Sequence, residues 1–227
     1  APTDQASRLT AQSAGLTVVL LPGSRAPEAY DNWRLMVESL AGVMAAMAEP
    51  VNFLGAIAPS LDLDTLAAPL LAQGWVQTGA TPYLTYQSEE SQLLLCQDAY
   101  ADCLHLADCA IAMAGTATEQ VVGLGKPAFT LPGEGPQFNP QFAESQTRLL
   151  GRSVTLVPTP AAVGAAIQRV MGNPQLLAVM AENGRQRLGA VGAAERIAEA
   201  ILKQPTYTSY AIYQYSDYDR SDAGSEG

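Results

Sequence analysis

The segment Gly115–Glu119, GTATE, contains the residues whose types and order best fit a binding chemistry. It follows an apolar run and precedes a helical pattern, so its backbone N–H groups lie at the start of a helix. Such groups have no partner inside the helix, and together with the helix dipole they attract anions by about 0.3–1 kcal/mol. We therefore expect a nucleotide diphosphate at this loop, with the Glu119 carboxylate on the ribose.

A second loop with anion-binding chemistry, Pro22–Arg25, follows the apolar run Leu16–Leu21. Gly23 allows the backbone to approach a ligand closely, and the planar guanidinium of Arg25 matches two phosphate oxygens at a time. The alternative is that Arg25 only caps or pairs with a group at the surface.

Apolar runs alternate with amphipathic segments along the chain, which predicts an α/β fold with a parallel sheet and helices on both of its faces. Strands are predicted over residues 16–21, 51–57, 109–114, 128–131 and 153–157, and helices over 28–48, 61–73, 97–106, 119–124, 160–172 and 174–204. Shorter apolar pieces at 75–76, 83–86 and 93–95 do not reveal their order in the sheet.

The predicted helix starts depend on capping residues. We expect Thr116 or Thr118 to cap the helix at 119–124, and Asp64 or Thr65 to begin the helix at 61–73. Pro69 inside the latter predicts a kink or a shorter helix, because proline lacks the N–H of a helical turn.

Ligands of open α/β sheets bind beyond the carboxyl ends of the strands. Three loops fall there in this prediction: Pro22–Arg25, Gly115–Glu119 and Gly133–Gln137. We expect the three loops to meet on one rim and to hold two linked phosphates.

Composition excludes several classes of function. The 227 residues carry a net charge of −10, which argues against a nucleic-acid partner because nucleic acids require a basic surface. One histidine, His105, and three cysteines without a C-x-x-C pair support neither a metal site nor a disulfide framework. We expect reduced, half-buried thiols, no metal, and a cytoplasmic location, since the chain has no transmembrane-length apolar run and Ala1–Ala14 lacks the apolar core of a signal peptide.

The two ends of the chain differ in composition from the middle. Residues 1–15 are predicted to be a linker, and residues 205–227 form a tail with recurring tyrosines and an acidic end. Such a tail is typical of a flexible terminus, while its aromatic residues also allow it to dock on another chain, to pack back on the domain, or to form a short edge strand.

The motifs together resemble a known family. Leu20–Arg25, LLPGSR, with Gly115–Glu119 is similar to the nucleotide-binding half of the lipid-A-disaccharide synthases. Gly135–Phe138, Phe142–Glu144 and Arg148–Gly151 resemble more closely the lipid-A-disaccharide synthase-related proteins. The resemblance covers residues 16–204 and implies the C-terminal, Rossmann-like domain of a GT-B glycosyltransferase.

By this resemblance, the chain binds the UDP-sugar donor of a hexosyltransferase without a metal or another cofactor. The diphosphate is expected on Gly23, Ser24, Arg25, Gly115, Thr116, Ala117 and Thr118, the ribose on Glu119, and the sugar or base on Gln137 and Phe138. The resemblance assigns no catalytic residue here, because the family's catalytic base usually lies on its acceptor domain.

Full members of this family have an additional N-terminal acceptor domain, so we expect that partner either in the same polypeptide or as a separate subunit. The acceptor of such enzymes is a lipid, which implies a peripheral membrane location. Two alternatives stay open: a non-catalytic binding or assembly module that retains the fold, and a nucleotide-sugar epimerase with Glu134 and Glu144 as its acid–base carboxylates.

Overall fold

The computed structural model describes residues 15–80, 82–190 and 192–203. The strands of these ranges are β1 (Thr17–Leu21), β2 (Asn52–Ala56), β3 (Val76–Gly79), β4 (Leu84–Ser88), β5 (Ser91–Cys96), β6 (Cys109–Ala112), β7 (Ala128–Thr130) and β8 (Val154–Leu156). They form one sheet in the order β3-β4-β5-β2-β1-β6-β7-β8. Pairing is parallel from β5 to β8, whereas β3, β4 and β5 pair antiparallel.

Helices alternate with most of the strands along the chain, and the last three helices follow β8. They are α1 (Glu28–Ala46), α2 (Leu63–Ala72), α3 (Tyr100–Leu106), α4 (Thr116–Gly123), α5 (Pro140–Leu150), α6 (Val163–Met171), α7 (Pro174–Leu188) and α8 (Ala193–Lys203). Short 3₁₀ turns occupy Gly151–Ser153 and Pro160–Ala162.

The central strands of the sheet, such as β1, β6 and β7, are buried on both faces, as expected for parallel strands covered by helices. Along β1, Val18 and Leu20 join the core that includes residues of α1, α2 and α6, while Val19 and Leu21 join the core that includes residues of α3 and α4. This alternation follows from the two-residue period of a strand. The predicted α/β sheet with helices on both faces is therefore confirmed.

Several boundaries differ from the prediction. The helix predicted from Glu119 begins at Thr116 with Gly115 as its N-cap, so neither threonine caps it. Asp62 caps α2 through the N–H of Thr65, which replaces the predicted start at Asp64 or Thr65. The helix predicted to begin at residue 97 begins at Tyr100.

The C-terminal helical stretch is also divided. Gly189 and Gly192 have φ angles of 78° and 92°, a region that glycine enters without strain, and they interrupt the continuous helix predicted over 174–204. The chain accordingly falls into two compact units, one ending at Gly189 and one beginning at Ala190. The described part of the second unit is dominated by α8, whose Ile197, Ile201 and Leu202 are exposed.

The three cysteines are unpaired and fully buried, which is deeper than the predicted half-burial. Burial raises the pKa of the Cys109 thiol. None of the helices in the described ranges is long and apolar enough to cross a membrane. Most of the predicted linker and all of the tyrosine-rich tail lie outside the described residues.

Candidate functional site

A cavity of about 830 Å³ opens at the carboxyl edge of the sheet. It lies where the strand order changes direction, because β1 is followed in the chain by β2 on one side and later by β6 on the other. This is the position at which open α/β sheets bind ligands. Eight predicted site residues line it: Gly23, Ser24, Arg25, Gly115, Thr116, Ala117, Gln137 and Phe138.

The loop after β1 supplies the cation of this cavity. Gly23 has a φ of 99°, a left-handed conformation that favours glycine, and it turns the chain sharply after the buried strand. Arg25 is exposed, and its Nη1 donates to Oε1 of Gln137 at 2.5 Å. The first and third predicted loops therefore meet across the mouth of the cavity.

The Glu28 carboxylate holds the third loop in place. Glu28 begins α1 and is 8% exposed, and its Oε1 accepts hydrogen bonds from the backbone N–H groups of Gln137 (3.1 Å) and Phe138. A Cβ on Gly135 would lie 2.1 Å from the same oxygen, so only glycine fits beside this carboxylate. The carboxylate thus fixes the backbone of Gln137, the residue whose side chain is the partner of Arg25.

Asn32, one turn further along α1, joins the first loop to the residue after β6, two positions before the second loop. Its Nδ2 donates to the carbonyl oxygens of Pro22 (3.0 Å) and Met113 (3.3 Å). The side chain is 2% exposed, so both bonds are shielded from water. The first predicted loop is therefore hydrogen-bonded directly to the third, and through Asn32 to the residue after β6 that leads into the second.

The second loop ends in the N-terminus of α4. Gly115 is its N-cap and lies beside the Phe142 ring, with 3.7 Å between a Cβ built on Gly115 and the ring's Cζ. Thr116 and Ala117, the first two helical residues, line the cavity. The start of the helix therefore faces the space in which an anion would lie.

Two predicted residues do not line the cavity. Thr118 is fully buried, and its Oγ1 donates to the carbonyl oxygen of Ala114 at 2.5 Å. Glu119 is half-buried and lies outside the lining, whereas its neighbour Gln120 lies within it. Since α4 starts at Thr116, Gln120 is one helical turn beyond Thr116 on the same face.

Gln120 has a partner on α3. The hydroxyl of Tyr100 donates to Oε1 of Gln120, and both side chains line the cavity. Burial raises the pKa of Tyr100 above its usual value. This pair forms a neutral, polar wall of the cavity.

The remaining wall near the third loop is aromatic. The rings of Phe138 and Phe142 pack with their centroids 5.3 Å apart, and both line the cavity. Glu134 and Glu144 do not line it, and Glu144 instead pairs with Arg148 at 2.6 Å. The carboxylates in the cavity wall are those of Glu28 and Asp98.

Several residues of this site were missed by the sequence reasoning: Glu28, Asn32, Tyr100, Gln120 and Gln146, the last of which binds the second loop from α5. Glu28 and Asn32 had a usable signal. They are polar residues four positions apart at the start of an otherwise apolar helical stripe, and they directly follow the Arg25 loop. Polar residues that take the place of apolar ones on a buried face indicate specific hydrogen-bond partners.

Comparisons with known proteins agree with this geometry at the level of the fold. Solved structures similar to this chain include the UDP-GlcNAc 2-epimerase of Neisseria meningitidis bound to UDP-GlcNAc, with a TM-score of 0.56, 15% identity, and coverage of 88% of this chain and 47% of that one. The C-terminal CMP-Kdo binding domain of WaaA from Acinetobacter baumannii has a TM-score of 0.56 and 14% identity over 82% of this chain and 97% of that domain. The fold is Rossmann-like, of the GT-B type.

The S. aureus MnaA–UDP co-structure is similar at a TM-score of 0.56 and 12% identity, covering 88% of this chain and 48% of that one. The chain therefore spans about half the length of the Neisseria and S. aureus proteins. No family model and no curated protein matches the sequence. The specific resemblance to lipid-A-disaccharide synthase thus stays a prediction.

Proposed function

We propose that this chain is the donor-binding domain of a GT-B hexosyltransferase related to lipid-A-disaccharide synthase, and that its ligand is a UDP-sugar. One observation carries the proposal: residues of all three loops line a single cavity, and its lining includes both Arg25 and the N-terminus of α4. A cation and a helix N-terminus together provide the potential that a diphosphate requires.

Within the cavity, Gly23, Ser24 and Arg25 bind the diphosphate from the first loop, and Gly115, Thr116 and Ala117 bind it from the second. Gln137 and Phe138 contact the sugar or the base. We assign the ribose hydroxyls to Gln120 and Tyr100 rather than to Glu119, because these two line the cavity and Glu119 does not. Thr118 supports the loop through Ala114 instead of touching the ligand.

In the proposed reaction, an acceptor oxygen attacks the anomeric carbon in a single displacement that inverts it. The bond from that carbon to the UDP oxygen breaks, its electron pair stays on the diphosphate, and the acceptor's proton passes to a base on the acceptor domain. Arg25 and the α4 N-terminus stabilise the charge that develops on the leaving group. We expect little transfer without an acceptor domain, preceding it in the polypeptide or supplied as a subunit.

Calorimetry with UDP, UDP-sugars and CMP tests the proposal. Replacing Arg25 with alanine removes a charge-assisted hydrogen bond worth about 1.5–3 kcal/mol, which corresponds to a loss of UDP affinity of at least about tenfold. Arg34→Ala is the matched control, because Arg34 is an exposed arginine that pairs with Asp31 on α1 at 2.5 Å. It should leave the affinity unchanged.

The ribose assignment is tested in the same titrations. Gln120→Ala should weaken UDP binding, and Glu119→Ala should not. Absence of UDP binding at millimolar concentration, or full affinity in Arg25→Ala, contradicts the donor-site proposal. A preference for CMP over UDP contradicts only its choice of nucleotide.

An epimerase would require acid–base carboxylates facing the sugar. Glu134 and Glu144 lie outside the cavity lining. Of the two carboxylates within it, Glu28 is bound to two backbone N–H groups, which leaves Asp98 without a second carboxylate to act with it. This arrangement favours donor binding over epimerisation. A chain that ignores UDP but captures a partner protein only while residues 205–227 are present would instead support the assembly-module alternative.

A further inference from the structure

Two buried carboxamide side chains bind the backbone of the phosphate-facing loops. Asn32 on α1 donates to the carbonyl oxygens of Pro22 and Met113, at 3.0 and 3.3 Å. Gln146 on α5 is 4% exposed and donates through Nε2 to the carbonyl oxygens of Ala114 (3.1 Å) and Gly115 (3.2 Å). Two helices distant in sequence thus hold the same short segment that follows β6.

The orientation of both carboxamides is determined by their partners. All four acceptors are backbone carbonyl oxygens. Of the two polar ends of a carboxamide, only the NH₂ group can donate, and it has two hydrogens for the two acceptors of each side chain. A carboxylate of the same shape would place negative charge against the same carbonyls. The positions therefore require asparagine and glutamine chemistry, not merely a polar side chain.

Holding these carbonyls fixes the N–H groups on the other side of each peptide plane. A trans peptide is planar, and its C=O and N–H point in opposite directions. The Pro22 carbonyl therefore determines the direction of the Gly23 N–H, and the carbonyls of Ala114 and Gly115 determine those of Gly115 and Thr116. Gly23, Gly115 and Thr116 all line the cavity.

The carbonyls held by Gln146 have other partners that satisfy them. Thr118 donates its hydroxyl to the Ala114 oxygen at 2.5 Å and its N–H to the Gly115 oxygen at 3.1 Å. The Oε1 atom of Gln146, in contrast, is buried without a partner among the described residues. Fold stability alone does not favour such a side chain, because an unpaired buried acceptor is unfavourable.

We propose that Asn32 and Gln146 are positioning residues that direct the backbone N–H groups of Gly23, Gly115 and Thr116 toward the phosphate oxygens of the bound nucleotide. This inference rests on the proposed function of the cavity. Neither side chain needs to touch the ligand, since each acts through the peptide groups that it holds.

The decisive variant is Gln146→Leu, tested by calorimetry and NMR titration with UDP and with uridine. Loss of the two bonds should lower UDP affinity at least tenfold and leave uridine affinity unchanged, because uridine has no phosphate to meet the displaced N–H groups. Asn32→Leu should have a larger effect, since Asn32 orients two loops. If Asn32→Leu does not fold, the result for Gln146→Leu decides.

Asn183→Leu provides the matched control. Asn183 is also a carboxamide that binds two groups, the Leu150 carbonyl at 2.7 Å and the Ser153 hydroxyl at 2.8 Å, but neither Leu150 nor Ser153 lines the cavity, whereas Ala114 and Gly115 do. The midpoint of thermal unfolding of Asn183→Leu should fall at least as far as that of Gln146→Leu. Its UDP affinity should stay unchanged.

Wild-type UDP affinity in a folded Gln146→Leu variant would overturn this inference alone. Equal losses of UDP and uridine affinity would also overturn it, because they would indicate general damage to the cavity. Failure of the wild-type chain to bind UDP would overturn the proposed function and this inference together.

Discussion

At both edges of the parallel sheet, side chains donate hydrogen bonds to backbone carbonyls, but these bonds have different structural roles at the two edges. At the carboxyl edge, Asn32 and Gln146 hold loop carbonyls around a cavity of about 830 Å³. At the amino edge, Asn183 binds the end of α5, and Nζ of Lys126 donates to the Leu104 and His105 carbonyls at 2.6 Å each.

The two edges differ in where the bound carbonyl groups lie relative to the helices. Lys126 caps carbonyls at the end of α3, where helix carbonyls have no intrahelical partner. The side chains at the carboxyl edge instead hold carbonyls ahead of or at the start of a helix, and the opposite N–H groups belong to residues that line the cavity. The same type of bond therefore completes a helix at one edge and holds the cavity lining at the other.

The largest expected effect at the carboxyl edge comes from Gly135→Ala. The new Cβ would lie 2.1 Å from Oε1 of Glu28 and displace the carboxylate that holds the third loop. Such overpacking typically costs about 1–3 kcal/mol of unfolding free energy, measured by urea denaturation, and we also expect weaker UDP binding. Gly42→Ala is the control, because its nearest contact would be an ordinary 3.6 Å and alanine favours a helix interior. A Gly135→Ala protein as stable as the control would contradict the role of the carboxylate.

Glu28→Gln should have an intermediate effect. It keeps the shape of the side chain but replaces charge-assisted hydrogen bonds to Gln137 and Phe138 with neutral ones, a loss of about 1–1.5 kcal/mol in unfolding free energy. UDP affinity should fall in parallel, since Gln137 would lose its fixed position. The exposed Glu38 on the same helix supplies the comparison, and Glu38→Gln should change neither quantity.

Lys126→Met at the amino edge should have the smallest effect, about 1 kcal/mol of unfolding free energy with no change in UDP affinity. Burial lowers the pKa of Lys126 in the folded chain, so the unfolded chain binds more protons just below the usual lysine pKa. This group's contribution to stability should therefore rise with pH in that interval, and the rise should be missing in the variant. Weaker UDP binding by Lys126→Met would remove the distinction between the two edges.

The sequence predicted the sheet and its loops well because both follow from local patterns. The continuous apolar run of β1 predicted a strand, and the rule that ligands bind beyond the carboxyl ends of the strands predicted that the loops containing Arg25 and Gly115 lie together, as they do in the cavity lining. The hairpin β3–β4 escaped prediction, since its strands are short and three of the four residues of β3 are exposed.

The partners of the residues that hold the loops could not be predicted from the sequence, for a physical reason. Gln146 is more than thirty positions from Gly115, and Glu28 is more than a hundred from Phe138, so no local period relates them. The α4 start was also predicted three residues too late, so Thr116 and Gln120 were not recognised as neighbours on one helix face. Helix starts without a side-chain cap leave the least trace in a sequence.

The bond between Arg25 and Gln137 has a consequence for how a ligand is admitted. In this state the guanidinium is already engaged by an amide oxygen, so an incoming anion does not meet a fully hydrated cation. A phosphate oxygen is a stronger acceptor for a guanidinium than an amide oxygen is. When a phosphate replaces Gln137 as the partner of Arg25, the Gln137 side chain is released, while its backbone N–H stays bound to Glu28. Binding of the diphosphate by Arg25 would thereby free the Gln137 carboxamide to form hydrogen bonds with the uncharged part of the ligand.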